Sequence, residues 1–285
     1  MEFFRDLLDP NLAFLRYALL AGLLASVSCG VVGSYVVVRR ISYIAGGIAH
    51  CVLGGIGAAR YMQVKFGWEF LDPLYGAVAA ALVSACVIGW VSLHARERED
   101  TVIGAIWSVG MAVGVLFMAR TPGYGSDLMS YLFGNILVVT PQSLVILLIL
   151  DAVVLGAALL FYNQFLAACF DEEFARLRGV RVEAFYLLLL CLIALTVVVL
   201  QAIVGVVLVI ALLTLPAAIA GRCSKTLWRM MILAGIACAA LTTGGIALSY
   251  SPKLPPGATI AALAGAAYLA VLIGARLWRK RAPRG

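Results

Sequence analysis

Apolar runs of membrane-spanning length follow one another from residue 17 to residue 277 with only short polar breaks, and this succession restricts the chain to an α-helical bundle solvated by lipid. Inside hydrocarbon the backbone N–H and C=O groups must be satisfied within each segment, which a helix achieves and an open strand edge does not. Composition agrees. Apolar residues make up 64% of the chain and charged residues 12%, about half the charged share of an average soluble domain. The predicted segments are 17–38, 42–62, 71–93, 102–119, 143–165, 184–200, 202–220, 230–250 and 258–277. The pair flanking Gln201 has almost no polar break, which leaves open one bent helix or a tight re-entrant hairpin there, and hence eight or nine spans.

With nine spans, alternate loops divide the basic residues fifteen to six. The richer side holds Arg39, Arg40, Arg96, Arg98, Arg176, Arg178 and Arg181, then Arg222, Lys225, Arg229 and the C-terminal cluster from Arg276 to Arg284. The poorer side holds Arg5, Arg16, Arg60, Lys65, Arg120 and Lys253. The positive-inside rule places the N-terminus outside and the C-terminus in the cytoplasm. The formal charge of +7 is thus a topology signal, not a nucleic-acid footprint, because the basic residues cap apolar runs instead of forming a basic face. The N-terminus lacks a basic n-region and no small-residue cleavage site follows the first run, so that run is expected to remain as a helix. Between residues 121 and 140, loop chemistry from Pro122 to Asp127 precedes an apolar stretch, 128–139, too short to span and expected as an external interfacial helix.

Few side chains within the runs carry chemistry, and ionisable groups in hydrocarbon are functional candidates by default. His50 sits about nine residues into the second segment, near mid-bilayer at about 1.5 Å per residue. Gly46, Gly47, Gly54 and Gly57 flank it on nearly one face, so an ion or another helix can approach closely. Metal or proton handling and a histidine hydrogen-bonded across a glycine-rich helix contact are both open readings. Asp151 is the second buried candidate, with a transport role or an inter-helix hydrogen bond as alternatives. Gln201 reads as a turn marker and His94 as a solvated side chain at a helix end. Seven cysteines, including Cys51 beside His50, form no Cys-x-x-Cys pair and read as structural membrane thiols. Zincin, nucleophile-elbow and dinucleotide motifs are missing, and Gly221 to Thr226 lacks the glycine that a phosphate loop carries before its lysine. The chain does not bind ATP by that device, and no enzymatic constellation emerges. Residues 171–181 are the one hydrophilic stretch with helix signals: Asp171 as N-cap, Glu172 and Glu173 in the first turn, arginines at the end and Gly179 as stop. With nothing in the chain to pack on, it reads as a solvated linker or as a docking helix for a cytoplasmic partner.

Taken in order, Gly30 to Arg40, the His50 segment, Asp127 to Gly134, Phe170 to Ala175 with Gly179, Gly205 to Ala218 and Leu254 to Gly257 resemble the membrane permeases of ABC importers for zinc, manganese and related divalent metals, over nearly the whole chain. The resemblance implies one permease domain over residues 1–285, an all-α homodimer in the inner or plasma membrane. It also implies two cytoplasmic ATPases docking on the helix through Asp171, Glu172, Glu173, Ala175 and Gly179, and an extracytoplasmic metal-binding protein. ATP is then used by the partner, and the divalent metal is cargo, not a cofactor of this chain. In the family an aspartate usually precedes the histidine by four residues, and here that position is Gly46. His50 carries over as a transient ligand, and the missing carboxylate leaves Cys51, Asp151 or a second His50 to complete the site. Two alternatives stay open: a permease of the same architecture for another small solute or metal chelate, and an ATP-independent cation carrier relaying through His50 and Asp151.

Overall fold

A computed structural model describes residues 13–68, 70–94, 99–121, 134, 136–170, 172–250, 252 and 254–281. Its helices are α1 (Ala13–Val38), α2 (Ser42–Phe66), α3 (Pro73–His94), α4 (Glu99–Ala119), α5 (Pro141–Leu160), α6 (Tyr162–Phe170), α7 (Glu172–Leu177), α8 (Val182–Val204), α9 (Val206–Cys223), α10 (Leu227–Tyr250) and α11 (Pro256–Arg281). Among the described residues nine of these are long and apolar enough to cross a bilayer, all but α6 and α7. The bends between them carry the expected start signals. Asp72 accepts a hydrogen bond from the Leu74 N–H at 2.7 Å as α3 begins on Pro73, and the Thr140 hydroxyl accepts from the Ser143 N–H with Pro141 opening α5.

Helices α1, α2 and α8 are the most enclosed, whereas α4, α5 and α11 present large apolar side chains such as Leu116, Leu148 and Leu269 outward. For a protein whose solvent is lipid this outward apolar surface is the stable arrangement. Contact between helices is made by small residues. A Cβ on Gly30 of α1 would lie 2.7 Å from the Gly235 nitrogen of α10, and one on Gly54 of α2 would lie 2.8 Å from the Gly110 carbonyl oxygen of α4. Lipid offers no hydrophobic incentive for helices to associate, so the close backbone approach that glycine permits supplies the dispersion contact holding them together.

Two expectations are corrected, and a third is tested only in part. The break near Gln201 falls at Gly205, whose φ of 83° and ψ of 162° end α8 before α9 begins. Gln201 itself is buried in the last turn of α8. Backbone geometry open to glycine, not side-chain polarity, sets this junction. The hydrophilic helix is also not without packing: α7 inserts Ala175, fully buried, against Ala168 of α6 and Val182 of α8. Its stop is as expected, with Gly179 at φ 77° donating to the Arg176 carbonyl. Of the external stretch 128–139, the described part includes a single 3-10 turn, Ile136–Val138, packed against α1 and α11. The motif residues 127–133 and Asp171 lie outside the described residues.

One end of the bundle gathers the C-terminal ends of α1 and α3, the N-terminal ends of α4 and α8, and α7. Arg39, Ser92, Glu99, Glu172 and Tyr186 line a common cavity of about 300 Å³ there. The helix ends flanking three of the basic-rich connections, those between α1 and α2, α3 and α4, and α7 and α8, border this cavity.

Candidate functional site

His50 projects from the middle of α2 into the contact with α4. Its imidazole stacks on the Trp107 indole, with ring centroids 4.3 Å apart and planes inclined by 11°. Tyr43, seven residues earlier on α2, reaches the same indole at 5.8 Å. The ring is half-buried, and Nδ1 is enclosed without a hydrogen-bond partner. The glycine face does what small residues do in membranes: Gly47 receives Ile103, while Gly54 and Gly57 admit the backbone of α4 at Gly110 and Gly114. The imidazole is therefore not open along the whole stripe, because Trp107 covers one face. An indole face attracts positive charge, so a cation or imidazolium placed here gains cation–π stabilisation of about 0.5–2 kcal/mol.

Gly46, one turn before His50, faces Trp107 Cζ3 and Ile210 Cδ1, at 3.7 and 4.0 Å from an ideal Cβ. The space a carboxylate would use is bordered by an indole and an isoleucine. Cys51, the next residue, sits between α3 and α4, with its sulfur 2.8 Å from where a Cβ on Gly110 would lie. Its sulfur accepts from the Ser84 hydroxyl of α3 at 2.9 Å, at the wall of an apolar groove of about 680 Å³ between α2, α3 and α4.

Asp151 lies in a different contact. The carboxyl is 4% exposed and accepts from the Ser28 hydroxyl of α1 at Oδ1, while Oδ2 is buried without a partner. The thiols of Cys29 and Cys238 adjoin each other in the neighbouring α1–α10 seam. All seven cysteines are free thiols. Among the described residues no group of three or more His, Cys, Asp and Glu side chains is arranged to hold a metal ion. Within one chain, then, His50 and Asp151 belong to separate seams. Removing the donor to a buried carboxyl leaves a desolvated acceptor, so Ser28→Ala is expected to destabilise the bundle by about 1–3 kcal/mol, whereas Ser28→Ala with Asp151→Leu is expected to recover most of that loss. Thermal melting in detergent reads both. Equal melting of Ser28→Ala and the wild type would refute the structural role of this pair.

Trp107 is the residue sequence reasoning missed. A tryptophan normally sits in an interfacial belt, and one placed as the sixth residue of the apolar run 102–119 was the available signal. At the same end as Arg39, α7 is joined to the bundle by the Arg39–Glu172 ion pair at 2.6 Å. Glu173 follows in its first turn, and Phe170, Phe174 and Leu177 stand exposed beside it outside the long apolar helices.

These features define a multi-pass α-helical membrane protein with an intramembrane histidine and a short amphipathic element outside the spans. The chain belongs to the ABC 3 transport family, whose model matches residues 11–275. It is 42% identical over 266 residues to a Chlamydia trachomatis protein named "Probable metal transport system membrane protein", covering 93% of this chain and 90% of that one. It is 32% identical to the manganese transport system membrane protein MntC of Halalkalibacterium halodurans, covering 92% and 87%. Among solved structures it resembles PsaBC from Streptococcus pneumoniae in complex with Fab, with a TM-score of 0.82, 29% identity and coverage of 95% and 94%.

Proposed function

We propose that this chain is the permease subunit of an ATP-driven importer for a divalent metal ion, with manganese the first candidate and zinc or iron next. The observation that carries the reading is the match over nearly its whole length to relatives named for metal and manganese transport. The geometry supports it. A half-buried imidazole with an unpartnered ring nitrogen is a donor suited to manganese, iron or zinc. The exposed Phe170, Phe174 and Leu177 around α7 give a cytoplasmic ATPase an apolar surface to dock on.

Two copies of the chain would form the translocation path, with the basic-rich end in the cytoplasm and an extracytoplasmic binding protein delivering metal to the opposite mouth. One His50 from each copy would supply two imidazoles without the carboxylate that Gly46 removes. Such a site binds weakly, as a transport site must in order to release its cargo. The ATP is hydrolysed by the partner subunits, and this chain contributes the path.

The test is uptake into proteoliposomes holding this chain with its ATPase and binding protein, offering manganese, zinc and iron separately. ATP-dependent accumulation of one of them is expected. If none accumulates while ATP hydrolysis still responds to the binding protein, the cargo is a different solute. Accumulation of a metal without ATP would replace the importer by a passive carrier.

A further inference from the structure

We infer that Arg39 is the positioning residue that transmits movement of α7 to the helices around His50. The inference rests on the reading of α7 as the ATPase-docking element.

Arg39 stands at a fixed point of the backbone. Helix α1 ends with the Arg40 N–H donating to the Val37 carbonyl and the Ile41 N–H donating to the Val36 carbonyl, a closed C-terminal motif with Arg40 at φ 59°. A non-glycine residue in that conformation costs about 1 kcal/mol or more. The turn it produces directs Arg39 across the end of the bundle. There its Nη1 donates to Glu172 Oε1 at 2.6 Å and to the Ala168 carbonyl at 2.9 Å, and its guanidinium lies 5.0 Å above the Tyr186 ring. One side chain, 18% exposed, thus holds α6, α7 and α8 to the end of α1.

The contact continues toward His50. The Ser92 hydroxyl of α3 donates to Glu99 and lies 3.4 Å from the Tyr186 hydroxyl. Glu99 is the first residue of α4, and two turns later the same helix carries Trp107, the indole stacked on His50. A rigid displacement of α7 therefore reaches α1 and α8 through Arg39, and reaches α4 through Tyr186 and Ser92. Arginine suits this task because its planar fork serves a carboxylate and a carbonyl while its face stacks on a ring, which lysine cannot do together.

The test uses the full complex of this chain with its ATPase and binding protein. Arg39→Gln and Glu172→Gln are each expected to lower the metal transported per ATP hydrolysed about tenfold, with Arg39→Lys intermediate. Co-purification of the ATPase confirms docking. A transported-to-hydrolysed ratio equal to that of the wild type in both Gln variants would overturn the inference. A second readout is independent of transport: nucleotide-dependent change in hydrogen exchange over residues 99–107. This change is expected in the wild-type complex and is expected to be lost in Arg39→Gln. If the wild type transports no metal, the importer reading fails, and the exchange measurement still decides the role of Arg39. Equal exchange changes in wild type and variant would refute it.

Discussion

His50→Ala is expected to lower the initial rate of ATP-driven metal uptake by about a hundredfold or more while the complex still assembles, since even residues that merely support metal ligands are worth about 10–100-fold. The argument turns on substitution by neighbours. His50 is one of two histidines in the chain, and the other, His94, is exposed at the end of α3. Gly46 offers no carboxylate, Cys51 is engaged by the Ser84 hydroxyl of α3, and Asp151 is committed to Ser28 in another seam. Among the described residues, no group of three or more His, Cys, Asp and Glu side chains of the same protomer stands ready to take over. A loss in His50→Ala could still arise from removing the stack on Trp107, so His50→Phe separates the two roles. Phenylalanine preserves an aromatic partner for the indole and has no nitrogen. If ligation matters, both variants lose uptake; if only packing matters, His50→Phe transports like the wild type. Retention of uptake in both variants would remove His50 from the path.

Much of this architecture was legible because lipid imposes a length rule on apolar runs, and each of the nine predicted segments overlaps one long helix. What failed were features set by backbone conformation or by the rotation of one helix about another. Gln201 drew the break four residues too early because a polar residue in an apolar run resembles a turn, whereas the structure buries it and turns at Gly205. Ala175 gives no sign in sequence that it closes the contact between α6, α7 and α8. The face of α2 bearing glycine correctly announced a close approach, but the identity of the approaching element, α4 with Gly110, Gly114 and Trp107, depends on azimuth. A periodic pattern fixes the face of one helix and leaves its partner unnamed. Likewise, Arg39 was read as a topology signal, and its three partners come from segments more than a hundred residues away in sequence.

Gly55 has no room for a side chain, and Gly55→Val is expected to abolish recovery of a folded, monodisperse protein. A Cβ there would lie 2.1 Å from the Gly76 carbonyl oxygen and 2.6 Å from the Ala80 Cβ. The relation is reciprocal, since a Cβ on Gly76 would lie 2.4 Å from the Gly55 carbonyl oxygen and 2.6 Å from the Ala59 Cβ. The obstacles include backbone on both sides, so no rotamer change relieves the clash, and α2 and α3 must separate by about 1 Å or more to restore ordinary contact distances. Overpacking costs about 1–3 kcal/mol where side chains can adjust, and more where the backbone must move. The separation would also open the contact that carries the Cys51–Ser84 hydrogen bond, beside His50. Gly156→Ala is the matched control, because a Cβ on that glycine meets nothing within 4 Å. There the change from glycine in a helix is expected to be neutral or stabilising by up to about 1 kcal/mol. Size-exclusion profiles and melting temperatures of the two variants in the same detergent test the contrast. If Gly55→Val elutes and melts like Gly156→Ala, the close α2–α3 crossing does not hold the bundle together.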